Sequence, residues 1–282
     1  MPIHDHGGLE WPGSYERAEE MAERLALPRK AGILRRLHAG PDLLVLPNAW
    51  DAASATACAA AGFPAVATTS VGVVEALGYT DDDSAPVNEV FAVVARAAGA
   101  IDVPLSADIE AGYGLPPDEL AARVLAAGAA GLNLEDTDHR RGGLRDVREQ
   151  ADRIAGVKAG GRSLGVDLVV NARIDVYIGK IGDPAGRLDA AVERARRYVA
   201  AGADCVYPIL LEDVDELAAF VQAVRAPVNA LLRPDGPSLD FLRSLGVRRV
   251  STGPSLWRST TAALHDRVTR LAADTARLSA RT

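Results

Sequence analysis

Residues 126–136 read Ala126-Ala127-Gly128-Ala129-Ala130-Gly131-Leu132-Asn133-Leu134-Glu135-Asp136. The first three close a helix, because glycine accepts the left-handed conformation needed just past a helix's last turn. Gly131 to Glu135 then reads as a buried strand that runs out in carboxylates. The punctuation returns along the chain: Ala60-Ala61-Gly62 precedes Val66, Ala200-Ala201-Gly202 precedes Val206, and Ser244-Leu245-Gly246 precedes Val250. A helix stop feeding an apolar strand, repeated, is the signature of βα units around a parallel sheet. Eight strands are predicted, at 43–46, 65–69, 104–108, 131–135, 168–173, 205–208, 228–232 and 249–252. Eight such units, with no Gly-x-Gly-x-x-Gly after the first, favour an α/β fold of the closed (β/α)8 TIM-barrel type over an open sheet.

Around this repeat the chain divides simply. Residues 1–40 are expected to form an N-terminal arm and two helices, Ser14 to about Leu27 and Pro28 to His38, and residues 41–282 the barrel with a C-terminal helical segment. From Ser255 to Arg281 there is length for two helical stretches. At 282 residues and 48% hydrophobic the chain can bury one large core. A net charge of −7 with no basic block argues against a nucleic-acid partner. No apolar run reaches membrane-spanning length and residues 1–13 lack a signal-peptide plan, so a cytoplasmic protein without a membrane partner is expected. Cys58 and Cys205 sit in small apolar surroundings and read as reduced, buried thiols.

Barrel chemistry gathers at the C-terminal ends of the strands. Here the first strand ends in Pro47-Asn48-Ala49-Trp50-Asp51 and the second in Thr68-Thr69-Ser70, leading on to Asp81. The third gives Asp108 and Glu110, the fourth Asn133, Glu135 and Asp136, and the fifth Asn171, Arg173 and Asp175. Asp108 and Glu110 are two apart, which in an extended chain places both on one side, and Gly112 and Gly114 leave room for a ligand beside Tyr113. Carboxylates aimed one way repel unless a cation lies between them. A divalent ion, a paired arginine or separate hydration all answer that, and oxygen ligands at a strand end suit Mg²⁺ with its retained waters. Singly, each residue has a structural explanation: Asn133 and Asn171 as partners of backbone groups, Arg173 as the neutraliser of Glu135. Together they read better as a site in which a metal and a guanidinium fork meet a carboxylate ligand.

Five stretches, Pro47–Asp51, Leu77–Asp81, Ala107–Gly114, Leu134–Asp136 and Asn171–Asp175, resemble in order the isocitrate lyase/phosphoenolpyruvate mutase superfamily, and they lie within residues 41–260. The resemblance implies a (β/α)8 barrel whose last helix is exchanged with a neighbouring subunit, in homodimers or homotetramers. It also implies Mg²⁺ (or Mn²⁺) chemistry on small 2-oxo or 2-hydroxy carboxylates through an enolate. By resemblance Asp108 is the direct metal ligand, and Asp81, Glu110 and Glu135 hold the metal's waters. Thr69, Ser70 and Val71 fall where backbone donors cradle the enolate oxygen, and Arg173 falls on the substrate-binding arginine. The departures bear on the reaction. The lyases carry a cysteine acid/base in the loop after strand four, and here Thr137 to Arg145 contains none. The phosphonate-forming mutases carry Glu-Asp-Lys and then Asn-Ser, where this chain has Glu135-Asp136-Thr137 and no Asn-Ser.

Four readings follow. A magnesium-dependent carbon–carbon lyase stands first, with His139 or Tyr113 as the acid/base; both also fit as ordinary surface or packing residues. A phosphonomutase or P–C bond-cleaving enzyme stands second, served by Arg140, Arg141 and Arg145. An inert binding protein on the same barrel stands third, opposed by the intact Asp108, Glu135 and Arg173. A Schiff-base aldolase lacks a well-placed lysine, since only Lys180 of Lys30, Lys158 and Lys180 is near a strand end. In the favoured reading the loop carrying His139, Arg140, Arg141 and Gly142-Gly143 closes over substrate, with an arginine on its distal carboxylate.

Overall fold

The computed structural model describes residues 27–279. The expected arm at 1–13 and most of the helix from Ser14 lie outside that range. The second expected helix is present as α1 (Leu27–Ala39), and its buried face is Leu27, Ala31, Leu34 and His38 at helical spacing. Strand β1 runs Leu44–Leu46 and resumes at Asn48–Ala49, the break falling at Pro47, which has no N–H to give to the ladder. There follow β2 (Val66–Thr68), β3 (Leu105–Asp108), β4 (Gly131–Glu135), β5 (Val169–Ile174), β6 (Cys205–Pro208), β7 (Asn229–Leu231) and β8 (Arg249–Ser251).

All pairings are parallel. The second half of β1 pairs with β2 (Asn48 opposite Ala67), and the ladder runs on in sequence to β6. A single parallel bridge, Val206 to Val228, carries it to β7, which pairs with β8, and β8 pairs with the first half of β1 (Leu44 opposite Arg249). The ring therefore returns to its first strand, and the eight predicted strands stand within about two residues of their expected bounds. The glycines of the repeat do what the sequence asks: Gly62, Gly128, Gly202 and Gly246 all have φ between 79° and 103°.

Side chains alternate across the barrel wall. Leu132, Leu134, Val170, Ala172 and Val206 are fully buried in the layer against the helices. Asn133, Glu135, Asn171, Arg173 and Arg249 face inward, where they bond to one another across the strands. The interior is thus polar from its middle to its C-terminal mouth.

The helices are α2 (Ala52–Ala60), α3 (Ser70–Leu77), α4 (Val87–Gly99), α5 (Pro117–Ala126), α6 (Val147–Ser163), α7 (Arg187–Ala200), α8 (Val214–Ala223), α9 (Leu239–Ser244) and α10 (Ser255–Ser279). The two helical stretches expected after β8 are one unbroken helix of 25 residues, since no proline or glycine interrupts 255–279. At its start Trp257 meets Trp50 edge-on at 5.3 Å and donates from Nε1 to Glu75. Farther along, Leu264, Val268 and Leu271 are 61%, 55% and 66% exposed, an apolar stripe that no other described residue covers. Among the described residues no helix is long and apolar enough to cross a membrane.

Candidate active site

A cavity of about 260 Å³ opens at the C-terminal mouth of the barrel. Thr69, Ser70, Val71, Asp81, Asp108, Asn133 and Arg173 all line it, so seven of the residues singled out from the sequence converge on one space. Asp108 ends β3 and its Oδ2 takes two long contacts, both 3.3 Å, from the N–H and hydroxyl of Ser70. Ser70 opens α3, so the first N–H groups of that helix point at the cavity without intrahelical partners. The three backbone donors implied by resemblance are reduced here, because the Thr69 N–H is already given to the Ala49 carbonyl at 3.0 Å. The Val71 N–H remains uncommitted among the described residues, and the Ser70 N–H is held only by its long contact to Asp108.

Glu110, Glu135, Tyr113 and His139 stand beside the cavity. Glu110 and Glu135 are 2% and 3% exposed. Tyr113 Oη donates to Glu110 Oε1 at 2.9 Å, and the backbone N–H of Asp83 donates to Glu110 Oε2. Glu110 and Tyr113 both hold left-handed backbones (φ 51° and 53°), a concentration of strain in the turn that leaves β3. Glu135 lies between two partners, His139 Nε2 at 2.7 Å and Arg173 Nη1 at 2.6 Å. Arg173 is gripped a second time by Asp175, through Nε at 2.6 Å and Nη2 at 3.0 Å.

The electrostatics are those of crowded acids. Burial, with Asp81 nearby, pushes Glu110 up to about 8. Burial pushes Glu135 up to about 7 although Arg173 pulls the other way, and it raises Asp108 against the same pull. The hydrogen bond to Glu135 raises His139. The mouth holds more carboxyl groups than Arg173 pairs with, and burial favours their protonated forms.

The loop after β4 is a formed turn. Thr137 bridges Leu144, and the carboxylate of Asp138 accepts from the N–H groups of Arg140 and Arg141. Arg140 lies against Gly114, where any Cβ would collide with its guanidinium. Arg141 does not reach the cavity as expected of a substrate clamp: it is 74% exposed and pairs outward with Glu149 and Asp138. None of His139, Arg140 and Arg141 lines the cavity.

Asp136 and Asp175 were read from the sequence as strand-end acids without a role, and Arg258 was not singled out. Asp175, just past the end of β5 and two residues from Arg173, clamps its guanidinium. Asp136 turns away from its neighbour Glu135 and anchors Tyr198 and Arg194. Arg258, one turn into α10, is the second cation lining the cavity, and among the described residues it makes no ion pair. A larger cavity of about 340 Å³ lies between the loops after β6 and β7, lined by the Arg233–Glu212 pair and by leucines such as Leu211 and Leu217; it contains none of these groups.

An eight-stranded barrel with acids and one clamped arginine gathered at its C-terminal mouth has the layout of an enzyme site. The chain matches the phosphoenolpyruvate phosphomutase model over residues 34–272 and belongs to that family, within the isocitrate lyase/phosphoenolpyruvate mutase superfamily. It is 40% identical over 210 residues, 74% of this chain and 77% of the other, to an uncharacterized protein of Mycobacterium tuberculosis. It is 31% identical over 212 residues to the 2-methylisocitrate lyase of Bacillus subtilis, covering 71% of this chain and 66% of the lyase. A candidate phosphonomutase of Burkholderia cenocepacia J2315 superposes with a TM-score of 0.80 at 38% identity, covering 86% of this chain and 99% of that one.

Proposed function

We propose that the protein is a magnesium-dependent carbon–carbon lyase acting on a small 2-oxo or 2-hydroxy dicarboxylic acid. The observation that carries this reading is Asp108 and Arg173 facing one small cavity amid more buried carboxylate than one guanidinium offsets. Among the described residues no three His, Cys, Asp or Glu side chains converge as direct ligands of one ion. A magnesium ion held by one carboxylate and its own waters needs no such triad. The donor set fits that arrangement: Asp108 Oδ2 has only long contacts, Glu135 lies within electrostatic reach of Asp108, and Glu110 lies within reach of Glu135 and Asp81. When bound, the ion would polarise the substrate's oxygen and stabilise charge developing there.

The chain's own residues supply the rest. The Ser70 and Val71 N–H groups at the start of α3 receive a developing oxyanion. Arg173, fixed by Glu135 and Asp175, keeps unused N–H donors for a substrate carboxylate. Arg258 takes the second carboxylate, replacing the loop arginine expected from the sequence. Arg258→Ala is then expected to raise KM roughly 10–100-fold with kcat little changed, as loss of a charge-assisted hydrogen bond implies. Steady-state kinetics on the cleaved substrate check this, and an unaltered KM removes Arg258 from the site.

The test of the function is a screen of 2-oxo acids, substituted malates and phosphonates with purified protein, with and without Mg²⁺, reading release of a 2-oxo acid. Metal-dependent cleavage of a hydroxy or oxo diacid supports the lyase. Turnover of phosphonates alone supports the second reading, a phosphonomutase or P–C bond-cleaving enzyme, which the Burkholderia neighbour favours.

The same reading makes the protein a homodimer or homotetramer joined through α10. Leu264, Val268 and Leu271 recur at spacings of four and three, so they form one stripe that a second copy would cover. Light scattering at micromolar concentration is expected to show an oligomer, and a Leu264→Glu/Leu271→Glu double variant a monomer. A monomeric parent refutes the assembly.

A further inference from the structure

We infer that Arg249 is a positioning residue: it locks the amide of Asn133 so that Asn133 Nδ2 faces the cavity as a hydrogen-bond donor to an anionic oxygen of the substrate. The inference rests on reading the mouth as a site for a small anionic substrate.

Arg249 is fully buried inside the barrel, on β8, one layer below the mouth. Among the described residues no carboxylate lies within ion-pair distance of it. Its guanidinium is instead held between two neutral acceptors. Below, Nη1 meets His38 Nε2 at 3.3 Å; His38 Nδ1 lies 2.8 Å from the Leu34 carbonyl, so the ring proton sits on Nδ1 and Nε2 offers its lone pair. Above, Nη2 donates to Asn133 Oδ1 at 3.0 Å.

The direction of that upper bond settles which way the amide points. A guanidinium has five N–H donors and no acceptor. Were the Asn133 amide turned over, its NH₂ would face the guanidinium, donor against donor, in a buried space. Asn171 Nδ2 also donates to Asn133 Oδ1, at 2.8 Å, so both lone pairs of that oxygen are used. Asn133 Nδ2 is left on the opposite side. Asn133 lines the cavity, and among the described residues its Nδ2 has no acceptor. The floor of the cavity thus presents an N–H donor with an uncompensated buried cation behind it. Such a floor favours an oxygen that carries negative charge, a carboxylate or an enolate oxygen, over a neutral hydroxyl.

A purely structural role is the competing account, since the Arg249–His38 contact also ties α1 to the barrel. Calorimetric titration of the full chain with oxalate in saturating Mg²⁺ separates the two, oxalate being a planar dianion shaped like the enolate of a 2-oxo acid. Asn133→Asp keeps the shape and gives Arg249 a carboxylate, but it removes the donor. It should hold its thermal midpoint and lose oxalate affinity roughly 10–100-fold. Arg249→Met should lose about tenfold and Arg249→Lys should recover most of it, whereas His38→Leu, which breaks the same tie to α1, should bind oxalate as the parent does. Oxalate binding to Asn133→Asp at parental strength overturns the inference, as does an equal loss in His38→Leu. If Arg249→Met does not fold, Asn133→Asp still decides. A parent that binds malonate and succinate but not oxalate overturns the donor assignment alone; one that binds no dicarboxylate overturns the reading of the mouth as well.

Discussion

Replacing Asp108 by alanine is expected to abolish divalent-metal binding and turnover together. Its neighbours cannot take over. Both oxygens of Glu110 are engaged, by Tyr113 and by the backbone of Asp83, and both oxygens of Glu135 are engaged by His139 and Arg173. Asp108, half-buried at the end of β3, lines the cavity and has an oxygen met only by 3.3 Å contacts. A site with one direct carboxylate loses most of its affinity with that carboxylate, so Mn²⁺ or Mg²⁺ binding should fall at least about 100-fold. Turnover should fall at least about 1,000-fold, since the charge stabilisation supplied at that point is worth several kcal/mol. Burial already raises the pKa of Asp108, so removing its charge should leave the fold intact, with an unchanged or higher thermal midpoint. Calorimetry with Mn²⁺ on Asp108→Ala and Asp108→Asn reads the first quantity directly. Metal titrating into either variant as into the parent places the ion elsewhere.

The barrel was legible because it is written in local chemistry. Ala-Ala-Gly is a helix stop wherever it stands, and a strand between two such stops has few other places to go. Asp81, Asp108, Asn133 and Arg173 could be gathered into one mouth for the same reason: strand ends of a parallel barrel share a rim. What the sequence did not disclose is which partner each side chain takes. Arg173 was readable as a substrate fork or as the neutraliser of Glu135, and the register of β4 and β5, Glu135 opposite Arg173, makes that ion pair, while the grip of Asp175 was not drawn from the sequence. Arg249 and His38 are 211 residues apart, and nothing near either says that they meet. Arg140 and Arg141 differ by one position, yet one packs on Gly114 and the other faces solvent, a choice made by the turn around Asp138. The same limit separates Glu135, the last residue of β4, from Asp136 just beyond it: one faces the site and the other bonds to Tyr198 and Arg194 in the wall.

Asp136→Ala is expected to be the most destabilising single change away from the cavity. The carboxylate is completely buried, and it accepts from Tyr198 Oη at 2.7 Å, Arg194 Nη1 at 3.0 Å and the Asp175 backbone N–H at 2.9 Å. Removing it leaves the Arg194 guanidinium without its carboxylate, though still bonded to the Arg145 carbonyl and Tyr198 Oη, and takes the acceptor from two further donors. Breaking a buried ion pair from one side costs about 3–5 kcal/mol. In a chain of this size that lowers the thermal midpoint by roughly 6–20 °C. Tyr198→Phe deletes one donor and leaves the ion pair, so it should cost only about 1 kcal/mol. The site should feel the difference too, because Asp136 fixes the backbone of Asp175, whose side chain grips Arg173. Below its unfolding transition, Asp136→Ala should therefore bind substrate more weakly than Tyr198→Phe does. Thermal unfolding followed by circular dichroism checks the first claim and substrate titration at 20 °C the second. A midpoint for Asp136→Ala within about 2 °C of the parent would show that water satisfies those donors as well as the carboxylate does.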